Sequence, residues 1–146
     1  MPLATYKTAV RAPAALLWDM MKEKIERPDK YVPGISAVEI VNRLGDRTVE
    51  RVMHVSAARQ DNRVHEIISY DDATMTVVFK LKDDPLYTGI VTNTVFDEDG
   101  RVELAYVLHW TPKDPGTAPP EIDLAEVIKA AVLHAKAMAE ARVQGG

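Results

Sequence analysis

The chain has 146 residues, the length of one ordinary domain, and a chain of this length can bury a sizeable core. The formal net charge is −4 with no basic stripe, which excludes a typical nucleic-acid-binding protein, and the absence of cysteine excludes disulfides, thiolate metal sites and cysteine nucleophiles. No apolar run approaches the roughly 20 residues of a membrane span, and the first residues lack signal-peptide features, so we expect a cytoplasmic protein without membrane contact.

The first part of the chain combines a strand with a helix. Loose alternation over residues 4–11 predicts the strand. The segment AALLWDMMKEKIE has helical spacing, and its apolar face comprises Leu17, Trp18, Met21 and Ile25. Pro13 suits the first helical position, and Pro28 ends the helix because the residue before a proline disfavours the helical conformation. The following RPDKYVPGI predicts a short irregular or one-turn segment.

From Ile35 onward the hydrophobic pattern changes to a period of two, which is typical of strands. The predicted strands are Ser36–Leu44, Thr48–Val55, Arg63–Tyr70, Thr74–Leu81, Tyr87–Phe96 and Val102–Thr111. The connections LGDR, AARQDN, YDDA, KDDPL and DEDGR carry turn residues. Since parallel strands need long crossovers, these short connections predict an antiparallel meander.

A proline- and glycine-rich linker, TPKDPGTAPPE, leads to the longest helical pattern, EIDLAEVIKAAVLHAKAMAEA. Asp123, followed three residues later by Glu126, resembles a capping box. An amphipathic helix must bury its apolar face, and one face of the sheet is available. We therefore predict a single α+β domain over residues 1–146: a curved, seven-stranded antiparallel sheet that grips the long C-terminal helix, with short helices after the first strand.

Several stretches resemble a known superfamily. LWDMMKEKIERPDKYVPGISAVEIV resembles a Trp-containing helix that leads to a P…(F/Y)VP.I segment, TVERVMHV resembles an R-V strand, and GIVTNTVF resembles a G-V-x-N strand. VHEIISY and LAYVLHW resemble two further strands. Over about residues 11–110 the chain is thus similar to the AtaL-like branch of the START-type, birch-pollen-allergen-like (SRPBCC) helix-grip superfamily. The resemblance implies a deep, mostly apolar pocket between the sheet and the last helix. Superfamily members bind lipids, hormones or polyketides, and some act as cyclases, aromatases or lyases.

Alternation also selects the inward face of each strand. The more apolar sets are Val49, Arg51, Met53 and Val55; Val64, Glu66, Ile68 and Tyr70; Met75, Val77, Phe79 and Leu81; Gly89, Val91, Asn93 and Val95; and Leu104, Tyr106, Leu108 and Trp110. This choice places Arg51 and Glu66 on the apolar face of neighbouring strands. Burying either charge alone is costly, so we expect them to pair with each other or with a polar group of a ligand.

The inward polar residues have structural and functional interpretations. Arg51 and Glu66 form either a structural ion pair or a ligand site, in which Arg51 anchors an anion or carbonyl group and Glu66 orients it or acts as a general base. Asn93 and Tyr106 are either satisfied within the core or hydrogen-bond a ligand carbonyl or phenol. The candidate catalytic residues are therefore Glu66, Arg51 and Tyr106.

The remaining polar and aromatic residues favour packing or surface positions. The histidines predicted to point outward or to flank the last helix are His54, His65, His109 and His134. None forms a zinc-type pair, and no nucleophile elbow or glycine-rich phosphate loop occurs, so we expect neither a metal nor a cofactor. Trp18, Trp110 and Tyr31 are predicted to pack, with Tyr31 nearest the rim of the pocket.

The stripe of the last helix is built from small side chains. It comprises Leu124, Ile128, Ala131, Ala135, Met138 and Arg142, flanked by Val127 and Ala139. Alanine at 131 and 135 predicts a cavity under the sheet, although a core filled by larger sheet residues, or the high helix propensity of alanine, would explain the same pattern. We favour the cavity. The predicted ligand-binding residues are Arg51, Glu66, Tyr70, Phe79, Asn93, Tyr106, Leu108, Trp110, Ala131, Ala135 and Met138.

Three functions follow from this pattern. The first is the binding of an apolar or aromatic small molecule that is polyketide-, lipid- or hormone-like. The second is a cofactor-free cyclase, dehydratase or isomerase that uses the same cavity for acid–base chemistry on an enolisable carbonyl. The third is a protein-interaction module that uses an outer face of the sheet, either to form a homodimer or to bind a chaperone.

Overall fold

The computed structural model describes residues 3–32, 34–55, 63–116 and 123–145. The elements are β1 (Leu3–Ala9), α1 (Ala14–Glu26), a one-turn 3-10 helix (Pro28–Lys30), β2 (Ile35–Gly45), β3 (Thr48–Val55), β4 (Arg63–Asp71), β5 (Thr76–Leu81), β6 (Tyr87–Glu98), β7 (Arg101–Pro112) and α2 (Leu124–Gln144). The predicted order of elements is confirmed, with ends that differ by a few residues. The turn AARQDN, Pro33 of the KYVPG segment and the second half of the proline-rich linker lie outside the described residues.

The seven strands form one antiparallel sheet in the order β1-β7-β6-β5-β4-β3-β2. Strands β2 to β7 pair with their neighbours in sequence, as the short connections predict. Only β1 departs from this order. It pairs with β7 and forms one edge of the sheet, while β2 forms the other edge. Between β1 and β2, α1 and the 3-10 helix carry the chain from one edge of the sheet to the other. The predicted α+β helix-grip architecture is therefore confirmed.

The register aligns the predicted inward residues in rows across the sheet. Arg51 lies directly opposite Glu66, and Phe79 lies between Ile68 and Val91. The rows continue into β7, where Leu108 opposes Val91 and Tyr106 opposes Asn93. Most of these side chains are buried, so the inward face predicted from alternation is correct.

Gly89 allows β6 and β7 to approach closely at the end of this face. Its φ is +138°, a conformation that side-chain-bearing residues rarely adopt. A Cβ atom at this position would lie 2.0 Å from the carbonyl oxygen of His109. Trp110 of β7 is the residue that faces Gly89 in the register.

Helix α2 begins at a side-chain cap and packs across one half of the sheet. The carboxylate of Asp123 accepts hydrogen bonds from the backbone N–H groups of Ala125 at 3.0 Å and Glu126 at 3.4 Å, which confirms the predicted N-terminus. The helix packs mainly against β1 and β7. Within the described ranges, no helix is long and apolar enough to cross a membrane.

Candidate functional site

A cavity of about 180 Å³ lies between the inward face of the sheet, α1 and the first half of α2. Its wall is mostly apolar, and the polar residues among those that line it are Lys24, Arg51, Glu66, Tyr106 and Trp110. An apolar cavity of ~150 Å³ inside a protein accommodates a benzene-sized molecule. The space is therefore sufficient for a small aromatic group.

Burial differs between the two ends of this cavity. Arg51, Glu66, Phe79 and Tyr106 are buried, which identifies a closed end beneath β3, β4 and β7. Val127 is 39% exposed although it lines the cavity, and Val32, Val55 and Leu124 are partly exposed. Among the described residues, the opening therefore lies between the first turn of α2, the start of β2 and the end of β3. A guest that exceeds the cavity would extend outward there.

Arg51 connects two elements at the closed end. Its Nη1 donates to the carbonyl oxygens of Lys24 at 3.1 Å and Ile25 at 2.7 Å, and its Nη2 donates to Glu66 Oε1 at 2.9 Å. The two carbonyl groups belong to the last turn of α1, where the helix leaves its carbonyls without intrahelical partners. Arg51 therefore satisfies the C-terminus of α1, and most of its donors are used for structure.

Glu66 is 5% exposed and in contact with Arg51. The pairing explains how both charges can be buried, because each compensates for the other. The guanidinium carbon of Arg51 also lies 5.4 Å from the ring centroid of Phe79, within the range of a cation–π contact. These contacts support the structural interpretation of the pair, while leaving both side chains on the cavity wall.

Lys24 is the polar residue of this site that the sequence analysis did not select. Its Nζ donates to Oδ1 of Asn93 at 2.8 Å and lies 4.1 Å from the ring centroid of Tyr106 and 5.3 Å from that of Phe79. Within the described residues no carboxylate forms a salt bridge with it, and the nearby Glu66 pairs with Arg51. The amino group is thus surrounded by aromatic faces and one amide.

The surroundings of Lys24 favour its neutral form. The pKa of Lys24 is lowered from 10.5 to about 7, chiefly because burial removes the ammonium from water. The neighbouring positive charge of Arg51 contributes to this lowering, whereas the negative charge of Glu66 opposes it. Near neutral pH the closed end therefore contains an amine that exists in both protonation states.

The helical spacing of α1 contains the signal for Lys24. Leu17, Met21 and Lys24 are four and then three residues apart, so Lys24 lies on the apolar face of the predicted helix. A lysine on such a face usually extends its side chain along the surface, so that its amino group reaches water. The residue type alone therefore predicts an exposed amino group. The contact with Asn93 depends on the packing of α1 over β6, which the sequence does not specify.

Asn93 and Tyr106 lie side by side at the closed end. Asn93 does not line the cavity; it is fully buried behind Lys24, and its Nδ2 has no hydrogen-bond partner among the described residues. Tyr106 lines the cavity, and its hydroxyl donates weakly to the sulfur of Met21 at 3.5 Å. Burial raises the pKa of Tyr106 well above its ordinary value of 10. Tyr106 is therefore a neutral hydroxyl at physiological pH.

Most, but not all, of the predicted ligand-binding residues border the cavity. Those that line it are Arg51, Glu66, Phe79, Tyr106, Leu108, Trp110 and Ala131. Tyr70 lines a separate cavity between α1 and the β2–β4 end of the sheet, and its ring contacts Trp18 edge-on. Ala135 and Met138 also lie away from the main cavity. Alternation along β4 identified the correct face for Tyr70, but it carries no information on where α1 divides the interior.

The position of Ala135 follows from the way α2 packs. Its N-terminal half covers the cavity with Leu124, Val127, Ile128 and Ala131, whereas its C-terminal half is held close to the end of β1. Lys136 Nζ donates to the carbonyl oxygen of Ala9 at 2.9 Å, and the backbone N–H of Arg11 donates to Glu140 at 2.9 Å. Ala135 and Ala139 are completely buried there. Their small side chains allow a close approach of helix to sheet rather than room for a guest.

The buried face of α2 is also rotated from the predicted stripe. Val132 is completely buried although the stripe omits it, while Arg142 is exposed and Met138 only partly buried. Several cavity-lining residues were not among the predicted binding residues: Lys24, Pro28, Val32, Ile35, Met53, Val55, Val64, Val91, Leu124, Val127 and Ile128. Met53, Val55, Val64 and Val91 are predicted to face inward but not to bind a ligand. Lys24, Pro28 and Val32 come from α1 and the segment after it, which strand alternation does not describe.

The remaining aromatic residues have structural partners. The indole N–H of Trp18 donates to Asp72 at 2.8 Å, and the hydroxyl of Tyr31 donates to Glu23. The ring of Trp110 stacks on Tyr87 with centroids 5.7 Å apart. Its indole N–H is buried and has no hydrogen-bond partner among the described residues, so Trp110 brings an available donor to the cavity wall.

The histidines lie away from the cavity. His54 and His109 are exposed on the outer face, and His65 contacts Glu50 there at 2.6 Å. His134 lies on the exposed side of α2 and contacts the carbonyl oxygen of Lys30. In the part of the chain that the structure describes, no three His, Asp or Glu side chains converge as metal ligands would.

Residues 8–144 match the AtaL family, described as Acetylaranotin biosynthesis cluster protein L. The fold is similar to the crystal structure of the Zhui aromatase/cyclase from Streptomyces sp. R1128, with a TM-score of 0.78 and 19% identity over 97% of this chain and 95% of that chain. It is also similar to the crystal structure of TTHA0849 from Thermus thermophilus, with a TM-score of 0.72 and 14% identity over 97% of this chain and 99% of that chain. No curated protein matches the chain. At these identities the solved structures establish a common fold.

Proposed function

The chain belongs to the AtaL family, with an SRPBCC-like helix-grip fold, and from this premise we propose that it binds an apolar or aromatic small molecule in the cavity between the sheet and α2. The guest belongs to the polyketide-, lipid- or hormone-like class and carries one polar group. The observation that carries the proposal is a largely apolar cavity of about 180 Å³ with a polar closed end. Ligand sites in proteins commonly combine these two features.

The polar group of the guest binds at the closed end. Lys24 supplies N–H donors beyond the one used by Asn93, and the buried indole N–H of Trp110 adds another along the wall. Arg51 has Nε without a partner among the described residues, while its other nitrogens are occupied. A wall rich in hydrogen-bond donors favours a guest whose polar group is an acceptor, such as a carbonyl or phenolic oxygen, over a guest whose polar group only donates.

A substitution on α2 tests the proposal. Ala131→Leu adds three carbon atoms to the cavity wall, and Ala137→Leu adds the same atoms on the exposed side of the same helix. 2-Naphthol is the probe, and its melting-temperature shift is the measurement. We expect a concentration-dependent rise for the wild type and for Ala137→Leu, and a strongly reduced rise for Ala131→Leu. At 100 times Kd, stabilisation by about 2.7 kcal/mol would raise Tm by roughly 5–10 °C.

Two outcomes would oppose the proposal. One is the absence of any shift in the melting temperature of the wild type, both with 2-naphthol and with 2-methylnaphthalene, in which a methyl group replaces the hydroxyl group. The other is an equal shift for Ala131→Leu and Ala137→Leu, which would place the binding site away from the cavity.

A second candidate function is acid–base catalysis on an enolisable carbonyl in the same cavity. The observation that favours it is an amine with a pKa of about 7, Lys24, on the wall of an apolar cavity, because general acids and bases act best when their pKa lies near the working pH. The similarity to a protein named an aromatase/cyclase is compatible with this candidate. The contacts favour Lys24 over Glu66 as the group that exchanges a proton, because Glu66 is paired with Arg51.

A further inference from the structure

The amino group of Lys24 is placed where a guest would meet it. Lys24 lines the cavity at its closed end, 7% exposed, and the hydrogen bond to Asn93 fixes the position of Nζ. The rings of Tyr106 and Phe79 lie near it, at 4.1 and 5.3 Å from Nζ to the ring centroids. A molecule that fills the cavity to its closed end therefore comes into contact with this side chain.

The charges around Lys24 are those that activate a lysine as a nucleophile. Such activation requires removal of the amine from water, or a second cation nearby, so that the neutral form with its free electron pair is populated. Both conditions occur here: Lys24 lies on the buried face of α1, and β3 contributes the guanidinium of Arg51. The other titratable groups that face it are Glu66 from β4, which is paired with Arg51, and Tyr106 from β7, which stays neutral.

We propose that Lys24 captures a guest aldehyde or ketone covalently as an imine at the closed end of the cavity. The inference rests on the proposed function, because the guest must first occupy the same cavity. The electron pair of Nζ attacks the carbonyl carbon and forms a carbinolamine. The two protons of the amine then leave with the carbonyl oxygen as water, and a C=N bond remains. The step needs neither an oxidant nor a reductant.

Asn93 orients the amine. Its Oδ1 accepts from Nζ at 2.8 Å, and its Nδ2, next to this contact, has no partner among the described residues. Asn93 is therefore a positioning residue for this step.

The experiment uses 2-naphthaldehyde with sodium cyanoborohydride, which reduces an imine to a stable amine. Mass spectrometry of the intact chain counts the adducts, and peptide mapping locates them. At pH 7.5 we expect one adduct at Lys24, formed at least about tenfold faster than at surface lysines, since a lower pKa populates the neutral amine. The rate should reach half its maximum near pH 7. Lys80→Met, on the exposed side of β5, should behave as the wild type, and Lys24→Met and Lys24→Arg should lose the fast adduct.

A matched hydrocarbon separates this inference from the proposed function. 2-Methylnaphthalene has the same rings without a carbonyl group, and its binding is measured by the shift of Tm. If it binds while 2-naphthaldehyde modifies surface lysines evenly, or modifies Lys24→Met as fast as the wild type, covalent capture is wrong and the binding function stands. If neither compound binds and no fast adduct forms, both are wrong.

Discussion

At the scale of single residues, Arg51 stabilises the protein through three hydrogen-bond partners on two other elements, α1 and β4. It neutralises Glu66 and hydrogen-bonds the carbonyls of Lys24 and Ile25 at the end of α1. Removing one partner of a buried pair leaves an uncompensated charge, which costs about 3–5 kcal/mol, whereas replacing both with apolar side chains removes that cost. The two carbonyls would still lack a donor.

We therefore expect Arg51→Met to lower the free energy of unfolding by about 3–5 kcal/mol, and Arg51→Met with Glu66→Met to recover part of this loss. The double-mutant cycle is measured by urea unfolding of the wild type, Arg51→Met, Glu66→Met and the double variant. Strictly additive effects would show that the pair is not coupled. Should Arg51→Met fail to fold, recovery of a cooperative transition in the double variant provides the same test.

At the scale of elements, α2 has two halves with different tasks. Its first half covers the cavity, and its second half is held against β1. The same substitution should therefore have opposite consequences in the two halves. Adding methylenes to a filled core costs about 1–3 kcal/mol, whereas adding them beside a void fills space.

We expect Ala135→Leu to lower the free energy of unfolding by about 1–3 kcal/mol and Ala131→Leu to leave it unchanged or raise it. Chemical denaturation of both variants, with Ala137→Leu as the solvent-exposed control, measures the difference. Equal destabilisation by both buried substitutions would mean that α2 packs equally tightly along its whole length and leaves no space at Ala131.

At the scale of the whole molecule, the burial of Lys24 couples folding to protonation. The unfolded chain binds a proton at Lys24 up to about pH 10.5, but the folded chain releases it near pH 7. The unfolded state therefore carries more protons between these two values, and the free energy of unfolding rises with pH across this window. Below pH 7 both states are protonated, so the burial penalty is constant there.

We expect the wild type to gain stability relative to Lys24→Met between pH 7 and 9.5, by at most about 1.4 kcal/mol per pH unit. The comparison with Lys24→Met cancels the contributions of other groups that titrate in this range. Denaturant unfolding at several pH values provides the measurement. Parallel stability curves for the two proteins would show that Lys24 remains protonated in the folded state.

The order and type of the elements could be predicted from this sequence because they depend on local signals. Period-two alternation selected the inward face of five strands, and turn residues between them required an antiparallel sheet. Prolines bounded α1, and Asp123 marked the start of α2. The same alternation identified Arg51 and Glu66 as inward charges on neighbouring strands before their register was known.

The tertiary structure decided which of those residues meet at the cavity. Lys24 and Asn93 are 69 positions apart in sequence, and only the placement of α1 over β6 brings them into contact. The packing of α2 divides its alanines, so that Ala131 lines the cavity and Ala135 is completely buried away from it. Sequence periodicity defines which face of an element is apolar, but the distance and angle between two elements depend on side chains from both. The sequence by itself therefore determined a helix-grip fold with two inward charges on neighbouring strands, and the tertiary structure determined that these charges pair and that an amine lies at the closed end.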